Sequence, residues 1–273
     1  MMISQSSSGG FDAAADRYDA DEQGNRVLVH LRERVFAQLC EAFAPGSRLV
    51  EIGSGTGSEA ARLVAERRCR VALVDVSPRL LERASAKVRS ANEAGLLGAH
   101  RMAARFIHQL TRFYGRASFD GAYSSLGPLN CEPRLEPVAD GLAELVRPGG
   151  ALVLSIINRW CPAEVVWFAA HGQWREAARR WGGPVQAAAY AGGPKDVTTW
   201  YYSRREIEQA FSGSFCVEHA EALPLLWPPP YLDFWVRRFE RFFMAARPVE
   251  RWAARQPFLR ALGDHVLLRL RRG

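Results

Sequence analysis

Tryptophan is missing from the first half of this chain: all eight copies lie at or beyond Trp160. Lysine is almost missing too, with Lys87 and Lys195 alone, so arginine carries nearly all the basic charge. The five cysteines (Cys40, Cys69, Cys131, Cys161 and Cys216) form no CxxC pair and no His/Cys ligand spacing. That argues against a disulfide framework or a structural metal and for a reducing compartment. No apolar run is long enough to span a bilayer; the longest candidates, such as ALVLSII at 151–157, are far too short. The opening MMISQSSSGG lacks the basic start and apolar stretch of a secretory signal. A cytoplasmic protein with a disordered segment 1–10 is expected.

What is present fits a soluble α/β chain of 273 residues with 48% hydrophobic residues and a net charge of +7. Residues 231–273 hold ten arginines against four acids and supply +6 of that charge. A solvated helix face accounts for them more simply than an anionic partner. Strand signals fall at 48–52, 70–76, 104–110, 119–125 and 151–157, with helical stretches between them. Ser77-Pro78 is an N-cap and N1 pair, and Ser203 with Glu206 is a capping box. Strand and helix alternating at this spacing predict a parallel sheet with right-handed crossovers. Two further strands are expected at 214–220 and 265–271.

The first strand runs into RLVEIGSGTGS at 48–58, a Gly53-x-Gly55-x-Gly57 turn. A dinucleotide fingerprint needs its third glycine one residue later, where Ser58 stands, and no phosphate-loop Gly-Lys-Ser/Thr is present. Glu51 precedes the turn, and Asp75 ends the next strand, where a carboxylate can accept both hydroxyls of a ribose.

With VEIGSGTG, VDVSPRLLERA, FDGAYSSL and LVRPGGALVLSI in this order, the chain resembles the class I S-adenosylmethionine-dependent methyltransferases. FDAAADRYDAD at 11–21 is similar to a segment upstream of many small-molecule members, including quinone-biosynthesis enzymes. The resemblance implies a Rossmann-like, seven-stranded, mostly parallel sheet with helices on both faces. It implies S-adenosylmethionine as cofactor and S-adenosylhomocysteine as product. Carried over residue by residue, Gly53, Ser54, Gly55 and Gly57 would let the backbone approach the cofactor. Glu51 and Tyr18 would serve its methionine end, Asp75 its ribose, and Val76 its adenine. Gln109 and Leu110 would serve the adenine from the third strand, and Ser124 would lie beneath the sulfonium.

The expected organisation is a cofactor core at 11–157, a helical, aromatic-rich insertion at 158–202, and a core helix and strand at 203–220. A second such insertion follows at 221–264, then a final antiparallel strand at 265–273. Both insertions start at the ligand face and read as lids. Trp160, Trp167, Trp174 and Trp181 recur every seven residues, one face of a helix. Packing onto the core is the favoured reading of that stripe, and a substrate wall the sharper one. Trp160, Trp200, Tyr201 and Tyr231 are the substrate-pocket candidates. WPPPY at 227–231 resembles a base-stacking box of nucleobase methyltransferases but stands after the wrong strand, so a rigid entry to a lid helix is expected. Asn130, His171 and His265 are the catalytic candidates, and no metal set is visible. The function expected is methyl transfer to a small hydrophobic or aromatic metabolite by in-line displacement. Alternatives are an RNA or protein methyltransferase anchored by the basic C-terminal segment, or a scaffold that binds cofactor without catalysis. No nucleic-acid partner is expected, and the aromatic lid could rest on a membrane surface.

Overall fold

A computed structural model describes residues 10–12, 15, 18–188 and 195–273. The chain enters through α1 (Tyr18–Gly24) and α2 (Arg26–Ala42). Asn25 caps α2, its Oδ1 accepting from the Leu28 amide at 3.0 Å. Val27, Leu31, Val35 and Leu39 then bury one stripe of that helix.

Strands and helices alternate from there: β1 (Arg48–Ile52), α3 (Ser58–Arg67), β2 (Arg70–Asp75), α4 (Pro78–Ala91), β3 (Leu96–Arg101), α5 (Thr111–Tyr114) and β4 (Phe119–Ser124). After them come α6 (Glu136–Leu145), β5 (Val146–Ile157), α7 (Pro162–Ala170) and α8 (Trp174–Ala177), then β6 (Val185–Ala188), β7 (Lys195–Thr199), α9 (Arg204–Phe211) and β8 (Phe215–Leu223). The chain closes with α10 (Asp233–Arg238), α11 (Glu240–Ala254) and β9 (His265–Arg272).

Seven strands form one sheet in the order β3-β2-β1-β4-β5-β9-β8. Neighbours are parallel except at β9, which runs antiparallel to both β5 and β8. Period-two alternation divides its apolar residues between two cores. Leu49, Val71, Leu73 and Tyr123 pack under α2, α3 and α4. Val50, Ile52, Ala72 and Val74 face α6 and α9 on the other side. The strand order reverses between β1 and β4, and the crevice beyond the carboxyl ends of those strands is where such sheets hold ligands.

Three expectations need correcting. The third strand is Leu96–Arg101, not 104–110. As an edge strand it buries little and shows no clean alternation, whereas residues Ala104–Leu110 form a 3₁₀ turn that buries Ile107 and Leu110, three apart. The tryptophan stripe does not share one helix: α7 ends before Gly172, whose φ of +70° breaks the rod. Trp160 and Trp181 instead meet each other, with ring centroids 5.7 Å apart. The segment between β5 and α9 is not wholly helical either, since β6 and β7 pair as an antiparallel ribbon.

Candidate functional site

The turn after β1 winds three glycines through positive φ, +67° at Gly53, +52° at Gly55 and +73° at Gly57. Its backbone is anchored to the next strand, with the Gly53 and Ser54 amides donating to the Val74 carbonyl at 2.7 and 3.0 Å. At Gly57 a Cβ would lie 2.8 Å from that of Ala84, so this glycine lets α4 approach the start of α3. Lys87 reaches back from α4, donating to both Asp19 oxygens at 2.9 Å and to Thr56 Oγ1 at 3.2 Å. This triad fastens α1 over the turn.

A cavity of about 430 Å³ opens above the turn. Gly53, Gly55, Val74, Asp75 and Val76 form its floor and one side. Leu80 and the run Met102–Ala104 form an apolar wall at the end of β3, with Arg105 beside it. Leu126, Gly127 and Pro128 come from the loop after β4, Phe11 from the N-terminal segment, and Val197 to Tyr201 from the first insertion. The volume suits a small-molecule ligand.

Asp75 is the best-placed polar group. Its Oδ2 accepts from the Gly55 amide and its Oδ1 from the Ser77 amide, each at 2.9 Å. Burial pushes its carboxyl up to about 6, against the pull of those amides. Two accepted amides leave lone pairs free for hydroxyl donors, so the site fits a ribose. Across the cavity Glu132 is held by Arg105 at 2.8 Å. The Cys131 thiol, pushed up to about 12 by burial and then by Glu132, stays neutral.

The other candidates divide clearly. Trp200 and Tyr201 line the cavity. Ser124 sits behind the turn, its Oγ donating to the Ile52 carbonyl at 3.0 Å. Ser54 is buried there as well, its hydroxyl without a partner among the described residues. Glu51 lies beneath the turn among Glu59, Arg32 and Tyr123, and burial, then the Glu59 charge, raises its carboxyl well above the usual range. Tyr18 belongs to α1, but its side chain lies outside the described residues.

Several expected site residues lie elsewhere. Gln109 and Leu110 do not line the cavity, because the turn that does is Met102–Arg105, one strand end earlier than expected. The sequence carries the signal for this wall in Met102-Ala103-Ala104, directly after the edge strand LLGAHR. Asn130 is a structural staple: its amide donates to the carbonyls of Ile157 at 2.9 Å and Trp200 at 2.7 Å, and its Oδ1 accepts from the Ile157 amide at 2.7 Å. His171 is exposed at the end of α7, its Nδ1 2.8 Å from the Trp167 carbonyl. His265 is buried at the start of β9 beside Asp264, 3.1 Å away. Trp160 packs on Trp181, and the Tyr231 hydroxyl donates to Glu164 at 2.8 Å. None of these five reaches the cavity, and no histidine lines it among the described residues.

Sheet order, glycine turn and acidic end of β2 together define a class I S-adenosylmethionine-dependent methyltransferase fold. The methyltransferase domain family model matches residues 20–214, and the chain belongs to that family. The O-methyltransferase rstn1 of Aspergillus nomiae is 24% identical over 149 residues, covering 53% of this chain. The chain spans 63% of that relative's length. Among solved structures, an S-adenosylmethionine-dependent methyltransferase from Mesorhizobium loti aligns with a TM-score of 0.57 at 21% identity, covering 88% of this chain and 96% of the other. A Haloferax volcanii methyltransferase in complex with the Trm112 methyltransferase activator aligns at 0.58 with 17% identity over 96% of each chain.

Proposed function

We propose that the protein transfers the methyl group of S-adenosylmethionine to a small, largely apolar acceptor bearing an acidic hydroxyl. One observation carries the reading: a single cavity joins the glycine turn and Asp75 to the wall of Val197, Trp200 and Tyr201. Asp75 would accept the ribose hydroxyls, while Val74, Val76, Leu80 and Met102 would flank the adenine. Gly53 and Gly55 would let the backbone approach the sulfur end. When bound, the cofactor supplies a methyl group activated by a sulfonium. The residues of this chain contribute orientation and exclusion of water.

No imidazole faces the cavity among the described residues, and of its two carboxylates Glu132 is occupied by Arg105 and Asp75 would hold the ribose. The acceptor must therefore bring its own acidity, which favours a phenol-like hydroxyl over an aliphatic alcohol. The O-methyltransferase named above supports the same choice. Calorimetric titration with S-adenosylhomocysteine, with Asp75→Ala in parallel, tests the cofactor half. Labelled S-adenosylmethionine with a series of phenols of graded acidity tests the other. The rate should follow each phenol's own ionisation; a pH profile common to all phenols would point to a protein base and sink this reading.

A further inference from the structure

The second insertion buries Asp233, Glu250 and Asp264 and leaves several arginines at its surface. Asp233 accepts from the Arg26 and Val27 amides, Glu250 accepts from the Leu225 and Leu226 amides, and Glu240 pairs with Arg26. Arg238, Arg241 and Arg251 are exposed and make no ion pair with any described residue. Along α11, Phe242, Ala245, Val249 and Trp252 occupy one outward stripe, with Arg241, Arg251 and Arg255 on its flank. Phe242 is 68% exposed and Trp252 66%.

The apolar surface continues past the helix. Trp235 stacks on Phe239 with centroids 5.5 Å apart, and Trp167 of α7 closes the other side at 6.1 Å from Trp235. These rings help line an open apolar groove of about 550 Å³, together with Val166 and Phe242. An exposed apolar patch of this kind marks an interaction surface. Aromatic rings beside unpaired arginines are the composition of a helix lying in the headgroup region of a bilayer. A second copy is the poorer occupant, because a two-fold pairing across this face would gather both copies' arginines into one interface while Asp233, Glu250 and Asp264 stay buried.

We infer that the face formed by α7, α10 and α11 docks on an anionic phospholipid surface, the aromatic stripe entering the boundary of the acyl chains and the arginines meeting the headgroups. No helix among the described residues is long and apolar enough to cross a membrane, so the attachment is peripheral. The inference rests on this surface alone and stands apart from the acceptor proposed above.

Co-sedimentation with vesicles of phosphatidylcholine, or of phosphatidylcholine and phosphatidylglycerol in equal parts, tests it. The protein should bind the mixed vesicles, release on raising the salt, and ignore the neutral ones. Arg241→Gln and Arg251→Gln should each lower partitioning roughly fivefold, and Phe242→Ser with Trp252→Ser more than about tenfold. These side chains are exposed, so the melting temperatures should match wild type and separate lost docking from lost folding. Failure to sediment with the anionic vesicles would overturn the inference. So would a dimer in sedimentation equilibrium that Phe242→Ser dissolves, since the stripe would then belong to a second copy.

Discussion

Gly53 and Pro128 approach so closely that a Cβ on the glycine would stand 2.1 Å from the Cβ of the proline. The two residues follow β1 and β4, so their contact forms one side of the crevice where the strand order reverses. Gly53 also holds a φ of +67°, which an L side chain resists. Gly53→Ala should cost about 2–4 kcal/mol from backbone strain and overpacking together. Thermal melting should show a drop on the order of 10 °C. Adding Pro128→Gly should relieve the packing part and leave the strain, recovering some of the loss. Full recovery would mean that the backbone at Gly53 is not strained.

Asp75 gives the cavity its pH dependence. Its carboxyl is raised from 3.8 to about 6, chiefly by burial. A raised acid favours the folded state while protonated, so this group's contribution is fully present below about 4 and is lost as pH rises through about 6. The loss is on the order of 3 kcal/mol in the ligand-free protein. Ligand binding runs the opposite way, because only the ionised carboxylate accepts two hydroxyls. Affinity for S-adenosylhomocysteine should be flat above pH 7 and fall toward tenfold per unit below about 6. Calorimetry across that range would show it, and Asp75→Asn should bind weakly with little slope.

Asn130 sits next to the cavity but serves the fold rather than the ligand. Buried with three hydrogen bonds at 2.7–2.9 Å, it ties the loop after β4 to the end of β5 and to Trp200. Asn130→Ala would leave the Ile157 amide and two carbonyls unpaired, at a cost of about 2–4 kcal/mol. Urea unfolding measures it. Wild-type stability in the variant would return Asn130 to the list of substrate-orienting groups.

Local chemistry explains what could be read in advance. Ser77 caps α4 as its sequence announces, accepting from the Leu80 amide at 3.1 Å. Ser203 and Glu206 close their box, with the Ser203 amide donating to Glu206 at 2.7 Å. Signals within four residues survive because neighbours in sequence are neighbours in space. The glycine turn and Asp75 belong to the same kind, each set by the strand before it. β3 was hidden because an edge strand buries too little to display alternation, and its misplacement carried Gln109 and Leu110 into the wrong wall. The roles of His265 and Asn130 are not legible in the sequence, because burial and partners decide them. Those partners stand as far as 84 residues away for Asp264, the neighbour of His265 that binds Arg180. The heptad of tryptophans misled for a related reason: spacing reports a helix face only while the helix continues, and Gly172 ends it.

Arg180 is the residue on which the first insertion hangs. It is 5% exposed, donates from Nε to Glu164 at 2.9 Å and from Nη1 to the Asn158 carbonyl at 2.7 Å, and pairs with Asp264 before β9. One guanidinium thus joins α7, the end of β5 and the second insertion. Glu164 also accepts from Arg179 and Tyr231, so losing Arg180 strands Asp264 more than Glu164. Arg180→Met should cost about 3–5 kcal/mol, the usual penalty for orphaning a buried charge. Arg179→Met, at a more exposed position whose acid keeps other partners, should cost less than about 1 kcal/mol. Acid separates the two further. Burial alone would raise the Asp264 carboxyl, yet Arg180 and His265 hold it far below its usual 3.8. A depressed acid stabilises above its unfolded value and loses that contribution as pH falls through the folded one. Wild type should therefore weaken steadily below about pH 4, whereas Arg180→Met should lose much of this slope because protonating a stranded Asp264 relieves it. Urea unfolding at pH 7 and at pH 3.5 reads both effects. A variant that weakens in acid as steeply as wild type would show that Arg180 does not hold Asp264 in its charged form.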